Sequence, residues 1–202
     1  MDIWFASNNT HKKEELEAIL NKKLKSPLEE GFDFNPEETG NTFFDNALIK
    51  ARALYELPVE KSYVIADDSG LCVDALGGRP CVLSARYGME KIKHSPESKD
   101  RLTSKEQNLL LLDELGDNPL RAARFVCSMV LLLDNNRFIA VQETIEGEIV
   151  KRSGMKGEGG FGYDPIFFIK KFGRTLAEIS SDEKNKISHR AKAGKIIADY
   201  LQ

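Results

Sequence analysis

Apolar positions change period several times along the chain, and each change predicts an element. Ile3-Trp4-Phe5-Ala6 is a short apolar run that breaks at Ser7-Asn8-Asn9, after which Leu16, Ile19, Leu20 and Leu24 recur at helical spacing. A strand, a tight turn and a helix capped by Asn9 or Thr10 are predicted. Residues 25 to 41 carry Pro27, Gly31, Pro36 and Gly40, with a strand expected near Phe32 and Phe34. From Thr42, the spacing Phe44, Ala47, Leu48, Ala51, Leu54 gives a helix opened by a Thr42-x-x-Asp45 capping box and closed before Pro58. Its Lys50 and Arg52 lie off the apolar stripe and read as surface charges.

Tyr63-Val64-Ile65-Ala66 reads as a buried strand that runs straight into Asp67-Asp68-Ser69-Gly70. Consecutive strand side chains face opposite ways, so if the strand continues through both acids, one of them works and the other supports. A plain turn at Asp-Asp-Ser-Gly is the alternative. Leu71-Cys72-Val73 stays extended to a Gly77-Gly78 turn, the segment 82–87 is uncommitted, and residues 90 to 103 are expected to be charged and mobile. Ser104-x-x-Gln107 opens a helix through Leu109–Leu112 and Leu115. Phe125–Leu133 and Arg137–Val141 flank Asp134-Asn135-Asn136 as an antiparallel hairpin, and 144–150 adds a third strand with a bulge at Gly147. Thr175-x-x-Glu178 and Ser180-x-x-Glu183 are capping boxes ahead of a final helix through Ile197 and Leu201.

Composition narrows the choice of partners. The 202 residues are 41% hydrophobic and 30% charged, and 29 Lys+Arg against 32 Asp+Glu leave a net charge of −3. No global field attracts nucleic acid or an anionic membrane, so any anionic ligand must be held locally. Cys72, Cys81 and Cys127 form neither a disulfide framework nor a zinc knuckle, and no membrane-length apolar run is present. A single unit over residues 1–202 in a reducing, cytoplasmic compartment is expected.

The candidate chemistry lies in four places. Lys12 and Lys13 occupy a first helical turn where the macrodipole prefers acids; a phosphate seated on that N-terminus would reverse the argument, and two solvated lysines are the plain alternative. Glu37-Glu38 are adjacent loop acids suited to a hard divalent cation. Gly157-Glu158-Gly159-Gly160-Phe161-Gly162-Tyr163-Asp164-Pro165 contains G-x-G-x-x-G, but a strand rather than a helix is expected after it, so the dinucleotide reading fails. Its glycines allow close approach to a flat group on which Phe161 and Tyr163 could stack, or else it is a packed Ω-loop. His189 beside Arg190 reads as surface decoration, and His11, His94 and His189 lack metal-ligand spacing. Together these are the needs of a nucleotide site.

Six blocks in order carry a family likeness: Ala6-Ser7-Asn8-Asn9-Thr10-His11-Lys12; Glu37-Glu38-Thr39-Gly40 with Asn46-Ala47 and Lys50-Ala51-Arg52; Ile65–Leu71; Ser84-Ala85-Arg86-Tyr87; Gly159–Pro165; and Lys184-x-x-Ile187-Ser188-His189-Arg190. Through them the chain resembles the noncanonical purine nucleoside triphosphate pyrophosphatases, the inosine triphosphatase family. The resemblance implies an α/β fold with an elongated mixed sheet, flanking helices and two lobes around a central cleft, a homodimer, and Mg²⁺-dependent hydrolysis of ITP, dITP or XTP to the monophosphate and pyrophosphate. It also implies Glu37 and Asp68 as metal ligands, Asp68 as proton acceptor, Ser69 on the substrate and Ser7, Asn8, Asn9, Thr10, His11 and Lys12 on the phosphates. Phe161, Gly162, Tyr163, Asp164, Lys184, His189 and Arg190 would line the nucleotide, with Arg190 reading the purine O6. Two departures are Asn8 and Cys81, where glycine is common; Asn8 is expected to tolerate a left-handed turn. A pyrophosphatase for pyrimidine or other modified nucleotides, a silent nucleotide-binding module and a nucleic-acid binder are the rival readings.

Overall fold

In the computed structural model, residues 2–57, 63–92, 102–157 and 161–201 are described. The expected stop at Pro58, most of the 90–103 segment with His94, and Glu158–Gly160 lie outside them. The elements in order are β1 (Ile3–Phe5), α1 (Thr10–Leu20), α2 (Phe43–Tyr55), β2 (Tyr63–Val73), α3 (Met89–Ile92), α4 (Ser104–Leu115), β3 (Ala122–Leu132), β4 (Phe138–Ile149), β5 (Phe167–Ile169), β6 (Arg174–Thr175), α5 (Ser181–Ile187) and α6 (His189–Asp199). The six strands form one sheet in the order β1-β2-β3-β4-β5-β6. β1 pairs parallel with β2, setting Phe5 opposite Ile65, and β5 pairs antiparallel with both β4 and β6, so the sheet is mixed.

The chain divides into two compact units, one made of residues 1–69, 126–144 and 185–202, the other of 70–125 and 145–184. In the first unit, strand alternation sorts the core into two sets. Ile3, Phe5, Ile65, Cys127, Met129 and Leu131 pack with Leu16 and Leu20 of α1 and Ala193 and Ile197 of α6. Trp4, Ala6, Val64, Ala66, Val130 and Leu132 pack with Ala47, Ala51 and Leu54 of α2. Because the side-chain period is two, β2 is buried on both faces here and reads as a continuous apolar run. That double burial is what carries Asp67 and Asp68, the next two residues, to opposite sides.

In the second unit, Gly70 explains why the run ends in glycine. A Cβ there would stand 2.3 Å from Ser84 Oγ and 2.5 Å from the Cys81 carbonyl oxygen, because the 3₁₀ segment Cys81–Arg86 packs directly on the strand. Ser84 Oγ accepts the Leu71 amide at 2.8 Å and donates to Cys81 O at 2.6 Å, tying that segment down. Cys81 itself sits at φ +53, left-handed backbone that glycine adopts more readily.

Several local expectations change. No strand forms at Phe32 or Phe34; Phe34 is buried from loop backbone instead. The cap of α4 is Thr103, with Thr103 Oγ1 taking the Glu106 amide and Glu106 reaching back, one residue earlier than the Ser104 box. Residues 144–149 continue β4 rather than forming a separate strand, and Gly147 lies within it under the Phe167 ring. The last helical stretch breaks at Ser188, which caps α6 by accepting the Ala191 amide at 3.0 Å.

Candidate active site

The first unit supplies most of the charged groups. Asp67 is fully buried, 0% exposed, on the α1/α6 side of β2. Its Oδ1 accepts from Lys12 Nζ at 3.0 Å and its Oδ2 from Arg190 Nε and Nη2, both at 3.1 Å. Burial alone would raise its pKa, but the charges of Lys12, Arg190 and Lys50 outweigh that and hold the carboxyl well below the ordinary carboxylate range. Arg190 also donates through Nη1 to Glu15 Oε2 at 2.5 Å and through Nη2 to Ser69 Oγ at 3.0 Å. Four hydrogen bonds leave this guanidinium committed inside the protein.

Asp68 lies on the α2 side and is 7% exposed. Its Oδ1 accepts from Lys50 Nζ at 3.2 Å and its Oδ2 from Asn46 Nδ2 at 3.3 Å, while the same Lys50 reaches Glu38 Oε1 at 2.9 Å. Asn46 and Lys50 are four apart on α2 and therefore share a face. Burial pushes the Asp68 pKa up, and the attraction of Lys50 and Lys12 only partly offsets it. The two acids thus take the division of labour that strand geometry requires, one locked by cations and the other poised with raised proton affinity.

The loop before α1 is organised by its own side chains. Ser7 Oγ accepts the Asn9 amide at 3.2 Å, and Asn9 Oδ1 caps the helix by accepting the Lys12 amide at 3.1 Å. Thr10 and His11 are exposed first-turn residues, and the turn carries no acid. Asn8 does not take the left-handed conformation expected of it; its Nδ2 instead donates to the Phe34 carbonyl at 2.7 Å, so the turn closes by a side-chain hydrogen bond. Glu37 is exposed, and Glu38 is half-buried beside Lys50. His189 is buried rather than a surface group.

In the second unit, Phe161, Gly162, Tyr163 and Asp164 form a pinned loop. Asp164 Oδ2 accepts the Phe161 amide and Lys184 Nζ, both at 2.8 Å. Tyr163 is 4% exposed, with its hydroxyl donating to the Ser84 carbonyl at 2.9 Å, so it anchors the loop and is not a stacking surface. Phe161, by contrast, is 51% exposed. Among the described residues after the glycine motif, the 3₁₀ turn Asp164–Ile166 and β5 follow in place of an α-helix, as the sequence order required.

Sequence reasoning missed Lys50, Asn46 and Glu15 as site residues. A usable signal existed for two of them: Asn46 and Lys50 are polar at i, i+4 beside the Ala47/Ala51 stripe of α2. Glu15 has no such signal, because its partners Arg190 and Ser188 lie more than 170 positions away.

The chain is similar to known proteins along its whole length. The Treponema denticola protein named dITP/XTP pyrophosphatase is 51% identical over 204 residues, covering 100% of this chain and 99% of the relative. The Bacillus subtilis protein of the same name is 42% identical, covering 98% of this chain and 95% of its own. Among solved structures, the Staphylococcus aureus Ham1 protein superposes with a TM-score of 0.83 at 36% identity, covering 100% of this chain and 98% of that one. A Mycobacterium abscessus nucleoside-triphosphatase, also titled dITP/XTP pyrophosphatase, gives 0.74 at 36% identity, covering 100% and 99%. A family profile matches residues 3–200, and the chain belongs to the Ham1 family.

Proposed function

We propose that this protein is a nucleoside triphosphate pyrophosphatase that hydrolyses noncanonical purine nucleotides (ITP, dITP, XTP) to the monophosphate and pyrophosphate, clearing them from the nucleotide pool. The observation that carries the reading is the pair of adjacent acids on β2, one buried against Lys12 and Arg190 and the other beside Lys50, on a chain whose relatives bear that activity in their names. Asp68 accepts the proton of the attacking water as the bond between the α and β phosphates is broken. Before any ion is bound, burial raises its proton affinity above that of a free carboxylate. Lys50, kept charged because Asp68, Asp67 and Glu38 outweigh the cost of its burial, holds the Asp68 carboxylate in place and offers charge to phosphate oxygens. Lys12 and the first turn of α1, with Ser7, Asn8, Asn9, Thr10 and His11, take the phosphate end. Ser69 contacts the substrate from the Arg190 side.

Mg²⁺ fits the donor chemistry. Asp68 and the exposed Glu37 are hard oxygen donors, and Mg²⁺ takes one or two carboxylates and leaves its other positions to substrate phosphates and water. When bound, the ion supplies charge neutralisation to the triphosphate and acidity to its water. Among the described residues no three acids, histidines or cysteines gather into a closed cage, so Glu37 and Asp68 would share the ion with substrate.

Base choice falls to the Phe161–Asp164 loop with Lys184, all in the second unit. Arg190, the O6 reader expected from the sequence, has four of its five N–H donors engaged by Asp67, Glu15 and Ser69. A homodimer working in the cytoplasm completes the proposal as a single functional domain; among the described residues no helix is long and apolar enough to cross a membrane. Steady-state kinetics with pyrophosphate detection on ITP, XTP, GTP and ATP, with and without Mg²⁺, test it. Preference for the first two and loss of turnover without the metal are expected. Equal turnover of ATP, or no pyrophosphate at all, rejects the reading.

A further inference from the structure

One buried polar side chain in the second unit is used by nothing above. Asn108 is 1% exposed on α4, among the buried leucines Leu111, Leu112 and Leu115. Its Nδ2 donates to the Gly162 carbonyl at 3.1 Å, while its Oδ1 has no hydrogen-bond partner among the described residues. The atom facing a carbonyl must be the nitrogen, so the amide orientation is fixed by its partner. An unpaired buried acceptor is costly, and a leucine of similar size would remove it. Asparagine is also a poor helix former. The one contact the residue makes is therefore what its position provides.

That contact falls on the most adjustable point of the loop. Gly162 sits at φ +65 between the exposed Phe161 ring and the anchored Tyr163. Asp164 is held by Lys184 and Tyr163 by the Ser84 carbonyl. The neighbouring Gln107 donates to the Ala85 and Tyr87 carbonyls, both at 3.3 Å, bracing the segment to which Tyr163 is tied. Two consecutive amides of α4 thus brace two loops, and Asn108 supplies the hold on the Gly162–Tyr163 peptide, one residue beyond Phe161.

We propose that Asn108 is a positioning residue for base selection: by fixing the Gly162 carbonyl it sets the plane that Phe161 presents to the purine and hence which base is accepted. The proposal rests on the pyrophosphatase reading for its substrate and on the loop geometry for the rest. Asn108→Leu tests it. On the ligand-free protein, hydrogen exchange at the Phe161, Asp164 and Ile166 amides, all hydrogen-bonded within the loop, should quicken about fivefold, the worth of one hydrogen bond. KM for ITP should rise about fivefold with kcat within about twofold, and the ITP-to-ATP ratio of kcat/KM should fall by a similar factor. Asn108→Ala, which removes the donor without burying a charge, should move each quantity the same way, and serves should the leucine variant not fold. Unchanged exchange, or a fall of Tm and kcat with the substrate ratio intact, overturns the assignment. A wild-type protein that releases no pyrophosphate would reject the functional reading instead, and the exchange measurement would still decide whether Asn108 holds the loop.

Discussion

On the face of β2 that meets α1 and α6, a carboxylate with no exposure faces an ammonium and a guanidinium. On the face that meets α2, the next residue has one lysine, one amide and a small opening. The same side-chain chemistry, one peptide apart, ends with proton affinity shifted in opposite directions. Burial penalises both charges; the number of cations at hand decides the sign. The Asp67 side behaves as a fastener joining β2 to two helices far apart in sequence, and the Asp68 side as a reactive group.

The sharpest way to break that comparison is Asp68→Asn. The amide preserves shape and its one oxygen can still accept from Lys50, but the Asn46 hydrogen bond to the other oxygen is lost, so Tm should fall by only a few degrees. Turnover should fall by roughly 10²–10⁴-fold, the range for losing a general base. Nucleotide binding should survive. Near-normal kcat would remove Asp68 from the chemistry.

Asp67→Asn should do the reverse in kind. It leaves the half-buried Lys12 without its counter-charge and the buried Arg190 with Glu15 alone, at a cost of about 3–5 kcal/mol in unfolding free energy. The sign with pH follows from the depressed carboxyl. Its stabilisation is complete above the unfolded value, about 4, and is lost as pH falls through the lower folded value. The stability gap between wild type and Asp67→Asn should therefore be constant above about pH 5 and shrink below about pH 4. Denaturant titrations at pH 7 and pH 3 read this directly. A variant that kept full stability but lost turnover would make Asp67 the working acid.

How much of this contrast the sequence disclosed depends on distance along the chain. The strand entering Asp67-Asp68 and the alternation that separates the two acids are local features, read from eight residues, and so are the caps at Asn9, Thr42 and Thr175. Which acid is the fastener was not legible, because the cations that decide it come from Lys12, 55 positions upstream, and Arg190, 123 downstream. Lys50 was misread for a related reason. A lysine at the edge of an apolar stripe is usually solvated, and only the neighbouring Asp68 and Glu38 hold this one in the interior. Phe161 and Tyr163 look equivalent in a glycine-rich loop; the Ser84 carbonyl, 79 positions from Tyr163, separates anchor from exposed ring.

The smallest expected effect comes from the neighbour of Lys12. Lys12 and Lys13 occupy the same helical turn, yet Lys12 turns in to Asp67, while Lys13 Nζ pairs with Glu29 at 2.5 Å and lies 3.7 Å from Glu17. Glu29 is largely exposed, so solvent and side-chain entropy offset most of the attraction, and Lys13→Ala should cost no more than about 1 kcal/mol. Its KM for ITP should change less than about twofold, a difference shrinking further in added salt as exposed charges are screened. Lys12→Ala, by contrast, uncovers Asp67 and removes a cation from the phosphate end together. If the two alanine variants raised KM equally, the turn would act through its summed charge rather than through the direction each side chain takes, and the contrast between the faces of β2 would not extend to α1.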